Sequence, residues 1–287
     1  MVWERRGSET KEACSVTTQR PEARDRLFEP IGSDPLPGRV AAQVEEHILS
    51  GILKEGARLP GERELAGQLA VSRPKLREAL RLLEDRGLIR IVAGEGAFVA
   101  TLSGPAMSPA LIALYTRHPA ALDDHLEYRR HQEAFAARLA AARATPNDHA
   151  RLAGLVDAMK EAHDRDEQPR ACELDSDFHM AIVEASYNRT LIHTMTALYA
   201  LNRSAVFFSR MELLTSATVS AGLLAQHGAI AAAIMARDAE AAARLSAEHI
   251  DYVRAAMAEA IAARHRETLS QKRVALQAIA SAPGSMR

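Results

Sequence analysis

Three runs of the chain decide its fold: Arg58-Leu59-Pro60-Gly61-Glu62-Arg63-Glu64-Leu65-Ala66, then Val71-Ser72-Arg73-Pro74-Lys75-Leu76-Arg77-Glu78-Ala79-Leu80, then Leu83-Glu84-Asp85-Arg86-Gly87-Leu88-Ile89. In the first, Leu65, Ala66 and Leu69 share one face of a helix over Glu62 to Ala70. Val71-Ser72 breaks it, and Ser72 is placed to cap a second helix over Arg73 to Arg86. Pro74 suits that first turn, whose backbone N–H groups have no helical partner. Leu76, Ala79, Leu80 and Leu83 form its inner face, and Gly87 supplies a left-handed end. Upstream, Val40, Val44, Ile48 and Leu49 recur at helical spacing up to Gly51. Downstream the period falls to two: Leu88 to Val92, a turn at Ala93-Gly94-Glu95-Gly96, and Ala97 to Ala100 read as a β-hairpin. Helix, helix, short turn, helix and hairpin make a winged helix-turn-helix over residues 34–102.

In such a motif the second helix enters the major groove of DNA, and its N-terminal residues reach base edges. Here that end is Ser72, Arg73, Lys75 and Arg77, with Arg81 a turn further on. Arg73 and Arg77 share a face at i and i+4, opposite the apolar one. Arginine forks pair bidentately with guanine, and arginine and lysine both neutralise phosphate.

The whole-chain numbers hide this patch. In 287 residues, 36 Lys and Arg face 37 Asp and Glu, a formal net charge of −1, which excludes a globally basic nucleic-acid binder. Alanine occurs 56 times and aromatics make up only 4% of the chain, a composition that favours helix and excludes an all-β fold. The length and the 47% hydrophobic content fit about two domains. Cys14 and Cys172 form no disulfide framework. The N-terminus has no signal-like apolar segment, and no run of 18 residues is free of charged and polar groups. The expectation is a soluble cytoplasmic protein without a membrane span. Residues 1–33 read as a flexible N-terminal arm, 103–120 as a linker, 121–265 as an all-α bundle of six or seven helices, and 266–287 as a C-terminal tail. The fold class is thus mainly α. Within the bundle, Thr145-Pro146-Asn147-Asp148 starts one helix, Asp166 to Pro169 separates it from the next, and Asn188 ends that one. A further helix covers Thr190 to Leu213, and Thr218 to Arg264 is helical with a break at Arg237-Asp238.

Asp175 and His179 lie at i and i+4 on one helix face. His227 and His249 are 22 residues apart, and in one straight helix roughly 33 Å would separate them. Asp238 is 11 residues from each, so a hairpin turning there, with Asp238 capping its second helix, brings both histidines level. Together the four residues suit a divalent metal, zinc first, with nickel and manganese as alternatives. His125, His131, His193 and Asp177 read as ordinary packing or solvated residues.

The three opening runs resemble the DNA-binding domain of the GntR family of bacterial transcription regulators. The resemblance implies Arg63, Arg73 and Arg77 as main DNA contacts and the wing tip, Gly94-Glu95-Gly96, along the minor groove. Two positions depart from the family pattern: Gly61 stands where a serine usually completes a capping box with Glu64, and Glu95 puts a negative charge at the wing tip. Residues 121–255 resemble the FCD effector domain of the FadR subfamily. The marks are Glu127-Tyr128-Arg129-Arg130-His131-Gln132-Glu133, Asp175 with Phe178-His179, Asn188, His227, and Ala247-Glu248-His249. In that family the Asp and His positions bind a metal beside an effector pocket. Arg129 then matches an arginine that salt-bridges an effector carboxylate; the alternative is a surface i,i+4 pair with Glu133, in which case Arg130 or Arg203 takes the effector. The function implied is a homodimeric repressor on a palindromic operator in double-stranded DNA, controlled by a small carboxylate or sugar acid. Two other readings stand beside it: a metal-dependent, hydrolase-like enzyme, for which no HExxH motif or positioned base is found, and a DNA-binding protein with a purely structural metal.

Overall fold

The computed structural model describes residues 36–102, 118–201 and 217–281. The arm expected over 1–33, most of the linker, Arg203 and the last six residues lie outside them. Within the described residues are nine helices and one two-stranded sheet.

The N-terminal domain opens with α1 (Leu36–Leu49), α2 (Glu62–Leu69) and α3 (Arg73–Asp85). The four-residue spacing of Val40, Val44 and Ile48 buries one stripe of α1, which packs across α3. Leu65, Leu69, Leu76, Ala79 and Leu83 close the core from α2 and α3. The break between α2 and α3 is made by Ala70 in the left-handed region, and Ser72 sits at the N-cap of α3 as expected. Its hydroxyl, however, makes no capping hydrogen bond and is exposed. Gly61, at the N-cap of α2, likewise offers no side-chain cap. At the far end of α3, Gly87 N–H donates to Glu84 and Leu88 N–H donates to Leu83, closing the helix and turning the chain into the wing.

The wing is an antiparallel pair of β1 (Ile89–Val92) and β2 (Gly96–Val99), in register Ile89 opposite Val99 and Val92 opposite Gly96. Gly94 and Gly96 both take positive φ, the conformation a turn this tight requires. Arg58 pairs with Phe98 and extends the wing by one bridge.

The C-terminal domain has six helices among the described residues: α4 (Pro119–Arg143), α5 (Pro146–Asp164), α6 (Gln168–Ala185), α7 (Arg189–Leu201), α8 (Ala217–Met235) and α9 (Ala239–Ser281). The capping box at Thr145 is formed in both directions with Asp148. Asn188 belongs to the start of α7, where its Oδ1 accepts from Leu191 N–H, while α6 itself ends at Ala185. The Arg237-Asp238 hairpin is present: Arg237 takes a positive φ and Asp238 Oδ1 accepts from Ala241 N–H at the head of α9. α9 lies along α4, α6 packs on α5 and α4, and α8 fills the space between α9, α5 and α4. Phe178, Met195, Ile230 and Ile234 form the centre of this core.

Two boundaries move. α4 begins at Pro119, inside the expected linker, and α9 continues past Arg264 to Ser281, through most of the expected tail. From Ala263 to Val274 every residue is exposed, so no buried stripe marks this part of the helix in the sequence. By length and composition alone, Thr218–Met235 in α8 is apolar enough to cross a membrane. In this fold the same helix carries His227 and packs against three others.

Candidate metal centre and nucleic-acid interface

On the N-terminal domain, burial of Leu76, Ala79, Leu80 and Leu83 turns the opposite face of α3 outward. Ser72, Arg73, Lys75 and Arg77 are all exposed on it, and Arg63 is exposed on α2. One acidic residue organises the two arginines. Glu62 Oε2 accepts from Arg77 Nε at 2.9 Å and lies 3.5 Å from Arg73 Nη2. Sequence reasoning did not single out Glu62, whose partners lie in the next helix. Lys75 pairs with Glu78 at 2.9 Å. Between α3 and the wing runs a groove of about 330 Å³ lined by Arg58, Glu62, Arg77, Arg81 and Gly96. Arg77 and Arg81 of the recognition helix thus share one groove with Arg58 beside the wing, and Gly94, Glu95 and Gly96 stand exposed.

In the C-terminal domain, α6 contributes Asp175 and His179, α8 contributes His227, and α9 contributes His249. One ligand atom from each lies within 4.8 Å of all the others. The three imidazoles are buried and Asp175 is half-buried. His227 Nε2 is 3.3 Å and His179 Nε2 is 3.7 Å from Asp175 Oδ1. Donors about 2.1 Å from a tetrahedral zinc ion stand about 3.4 Å from one another, so side-chain shifts on the order of an ångström would close the set on an ion. Nε2 of His179 and of His249 is buried with no hydrogen-bond partner. Buried imidazole nitrogens without a partner are costly unless something else takes the lone pair, and a metal ion does. The residues fit the metal.

The opposite nitrogens are held. His179 Nδ1 faces Glu133 Oε2 at 2.8 Å, and His249 Nδ1 faces Gln226 Oε1 at 3.0 Å. An oxygen acceptor at Nδ1 draws the ring proton there and leaves the Nε2 lone pair for the metal. Glu133 is itself fixed: its Oε1 accepts from Arg129 Nε at 2.7 Å and from the Tyr199 hydroxyl at 2.6 Å. Arg129 Nη2 also reaches Tyr199 at 3.3 Å, while Arg129 Nη1 is buried with no hydrogen-bond partner. The expected Arg129–Glu133 pair thus exists, but in the core and not on the surface: Arg129 is 0% exposed.

Burial alone would raise the Glu133 carboxyl, but Arg129 and His179 beside it hold it well below the usual carboxylate range. Burial would also lower Arg129, and Glu133, Tyr199 and Asp175 outweigh it, so the guanidinium stays charged. Burial lowers His249 far below an ordinary imidazole, with His227 and His179 adding to the effect, so it stays neutral as a ligand must. His179 moves the other way: burial opposes its charge, but Glu133 and Asp175 prevail and raise it.

Two known families match successive parts of the chain. The bacterial regulatory protein gntR family matches residues 36–99, and the FCD domain matches residues 124–252. The Glc operon transcriptional activator of Escherichia coli (strain K12) is 34% identical over 218 residues, covering 75% of this chain and 86% of that one. The chain belongs to the GntR family. The GntR-family putative L-lactate dehydrogenase operon regulatory protein of the same strain is 35% identical over 229 residues, covering 78% and 86%. The HTH-type transcriptional repressor NanR of Cronobacter sakazakii is 28% identical over 247 residues, covering 82% and 92%. The GntR protein described here is accordingly a DNA-binding transcriptional regulator with an FCD effector domain of FadR-subfamily architecture, and not an enzyme.

Of the residues read from the sequence, this GntR chain brings Asp175, His179, His227 and His249 together and presents Ser72, Arg73, Lys75 and Arg77 on one face. Arg130 is bound elsewhere, at 2.8 Å to Asp251. His193, read as ordinary, joins the two domains: its Nε2 lies 3.1 Å from the Leu49 carbonyl oxygen at the end of α1. Gln226 and Tyr199 were missed, since each acts across helices at separations of 23 and 66 residues that no local pattern records.

Proposed function

We propose that this chain is a cytoplasmic, homodimeric repressor that binds a palindromic operator and is controlled by a small carboxylate or sugar acid at a metal ion in the FCD domain. The observation that carries this reading is the converging Asp175, His179, His227 and His249 set, with second nitrogens pinned by Glu133 and Gln226. Zinc is the first choice for this donor set, with nickel and manganese next. When bound, the ion supplies a Lewis-acidic anchor for a carboxylate oxygen. The chain's own residues do the rest. Glu133 and Gln226 orient the imidazoles, and the Arg129 guanidinium, charged and with Nη1 unsatisfied, is the proposed second anchor for the effector's negative charge. Arg203 is proposed for the same task.

Arg63, Ser72, Arg73, Lys75 and Arg77 would contact the operator, with Gly94 and Gly96 bringing the wing backbone close to it. A two-fold dimer presents two such helices to two half-sites, hence the palindrome. Relatives named as an activator and as a repressor both occur, and repression is the reading adopted here. Control requires the effector to favour one arrangement of the DNA-binding domains over another. A route is at hand: α6, which carries Asp175 and His179, ends near Glu184, and Glu184 pairs with Lys54 of the DNA-binding domain at 2.9 Å. Arg189 pairs with Glu46 beside it, and Gly51 approaches Ile192 so closely that a Cβ there would lie 2.8 Å from its Cγ2.

A thermal-shift series tests the reading. On metal-loaded protein, a carboxylate effector should raise the melting temperature, since a ligand at 100 times its Kd adds about 2.7 kcal/mol to the folded state. After chelation the same acid should have no effect. An equal rise with and without metal would reject the metal as effector anchor.

A further inference from the structure

The groove between α3 and the wing has one acid among its described lining residues, Glu62, set beside Arg58, Arg77 and Arg81. On a surface that meets phosphate a carboxylate is unfavourable, because it repels the phosphate charge and cancels part of the local cationic field. Neighbouring acids keep their contacts within one helix: Glu64 accepts from Gln68 in α2, and Glu78 from Lys75 in α3. Glu62 instead reaches from α2 to α3, across 15 residues of sequence. Its place follows from the chain. Gly61 is extended, α2 opens at Glu62, and Leu65 is buried in the core between the helices. A residue three positions before Leu65 falls on the same side of α2, the side turned to α3.

The two contacts of Glu62 differ in the arginine atom they use. Its Oε2 takes Arg77 at Nε, 2.9 Å away, and leaves the four N–H groups of Arg77 Nη1 and Nη2 for another partner. Two such terminal nitrogens suffice to pair bidentately with guanine O6 and N7. With Arg73 it is the terminal Nη2 that lies 3.5 Å away, an atom of the fork itself. Reading a base in this way makes Arg73 give up Glu62, whereas Arg77 can do so and keep it. An arginine held at Nε is also restrained from swinging to a phosphate, a contact that carries no sequence information.

We propose that Glu62 is a positioning residue for base reading: it stays on Arg77 Nε in the DNA complex, aims the Nη pair at a guanine and withholds Arg77 from the phosphates. This rests on the assignment of α3 to the major groove made above and names what sharpens its selectivity. Glu62 thereby lowers affinity for DNA in general and raises discrimination in favour of the operator.

The test uses two duplexes, one enriched from random sequences by the unaltered full chain and one scrambled duplex of equal length. Binding is followed by anisotropy over a range of salt. Glu62→Gln should bind the scrambled duplex more tightly, with a salt slope steeper by about one. The ratio of operator to scrambled affinity should fall about fivefold, the worth of one exposed ion pair. Glu62→Asp keeps the charge at the head of α2 but draws the carboxylate back by about 1.5 Å, one carbon–carbon bond. It should lose discrimination without gaining affinity for the scrambled duplex. In an Arg77→Ala background, Glu62→Gln should no longer change the ratio. Support for the start of α2 alone would weaken both duplexes alike. An unchanged ratio in Glu62→Gln, or the same fall with Arg77 removed, would therefore overturn the proposal while leaving α3 in the groove. Failure of the chain to enrich any sequence, or of Arg77→Ala to weaken operator binding, would instead reject the recognition-helix reading, and the proposal with it.

Discussion

Arg73→Ala and Arg77→Ala should each weaken specific operator binding by about 1–3 kcal/mol, roughly 5- to 150-fold, measured by fluorescence anisotropy at fixed salt. The expectation follows from position and from the state of the side chains. Both arginines project from the solvent face of α3, with side chains 57% and 54% exposed, so they can enter a major groove without repacking the core. In the free protein both lean on Glu62. Exposed ion pairs of this kind are worth at most about 1 kcal/mol, so exchanging Glu62 for a guanine edge costs little. Glu62 also limits the rotamers the two forks sample before contact, which is a form of preorganisation. Because they share one carboxylate oxygen, the double variant should lose less or more than the sum of the single ones. Lys75→Ala should behave differently, weakening binding to all sequences alike and flattening the salt dependence, as a phosphate contact does. Unchanged operator affinity in both arginine variants would remove α3 from the major groove.

His227→Ala and His249→Ala should strip the metal. Elemental analysis after dialysis against a chelator is expected to fall from about one ion per chain toward none, because each substitution replaces one of the four protein donors with water and weakens the site against the competing chelator. The neighbouring residues supply a graded control. Gln226→Leu leaves all four ligands in place and removes only the acceptor at His249 Nδ1. It should lower affinity by about 10- to 100-fold, which graded chelator competition resolves. Glu133 is a harsher site, since its loss leaves Arg129 charged and buried without its partner. Full metal content in both histidine variants would mean that the ion, if any, is held elsewhere.

Much of this was legible from residue order because the signals are local. The α3 start is written in Ser72 and Pro74, and the wing in the change of period after Gly87 and the glycines at 94 and 96. The metal set was reachable because Asp238 sits midway between His227 and His249 and caps a helix there, so that arithmetic alone folds the two histidines together. What escaped was interaction across helices. Arg129 and Glu133 look like a solvent-exposed helix pair until α6 and α7 bring His179 and Tyr199 against them, at which point the pair becomes the buried support of a ligand. The Ser72 hydroxyl illustrates the converse, a residue in the right place whose capping bond is not made. The reach of α9 was hidden for another reason: from Ala263 to Val274 it buries nothing, so helix propensity acts there without any periodic stripe.

The central claim is that effector, metal and operator are coupled within one chain, and one measurement bears on it most directly. Operator affinity should be determined by anisotropy on metal-loaded and chelator-treated protein, each with and without a saturating carboxylic acid that raises the melting temperature of the metal-loaded protein. The account predicts that the acid lowers affinity by about 5- to 150-fold in the metal-loaded protein, the usual range of a coupling free energy, and leaves the stripped protein unchanged. An operator affinity indifferent to the acid in the metal-loaded protein, or equally sensitive after chelation, would contradict it.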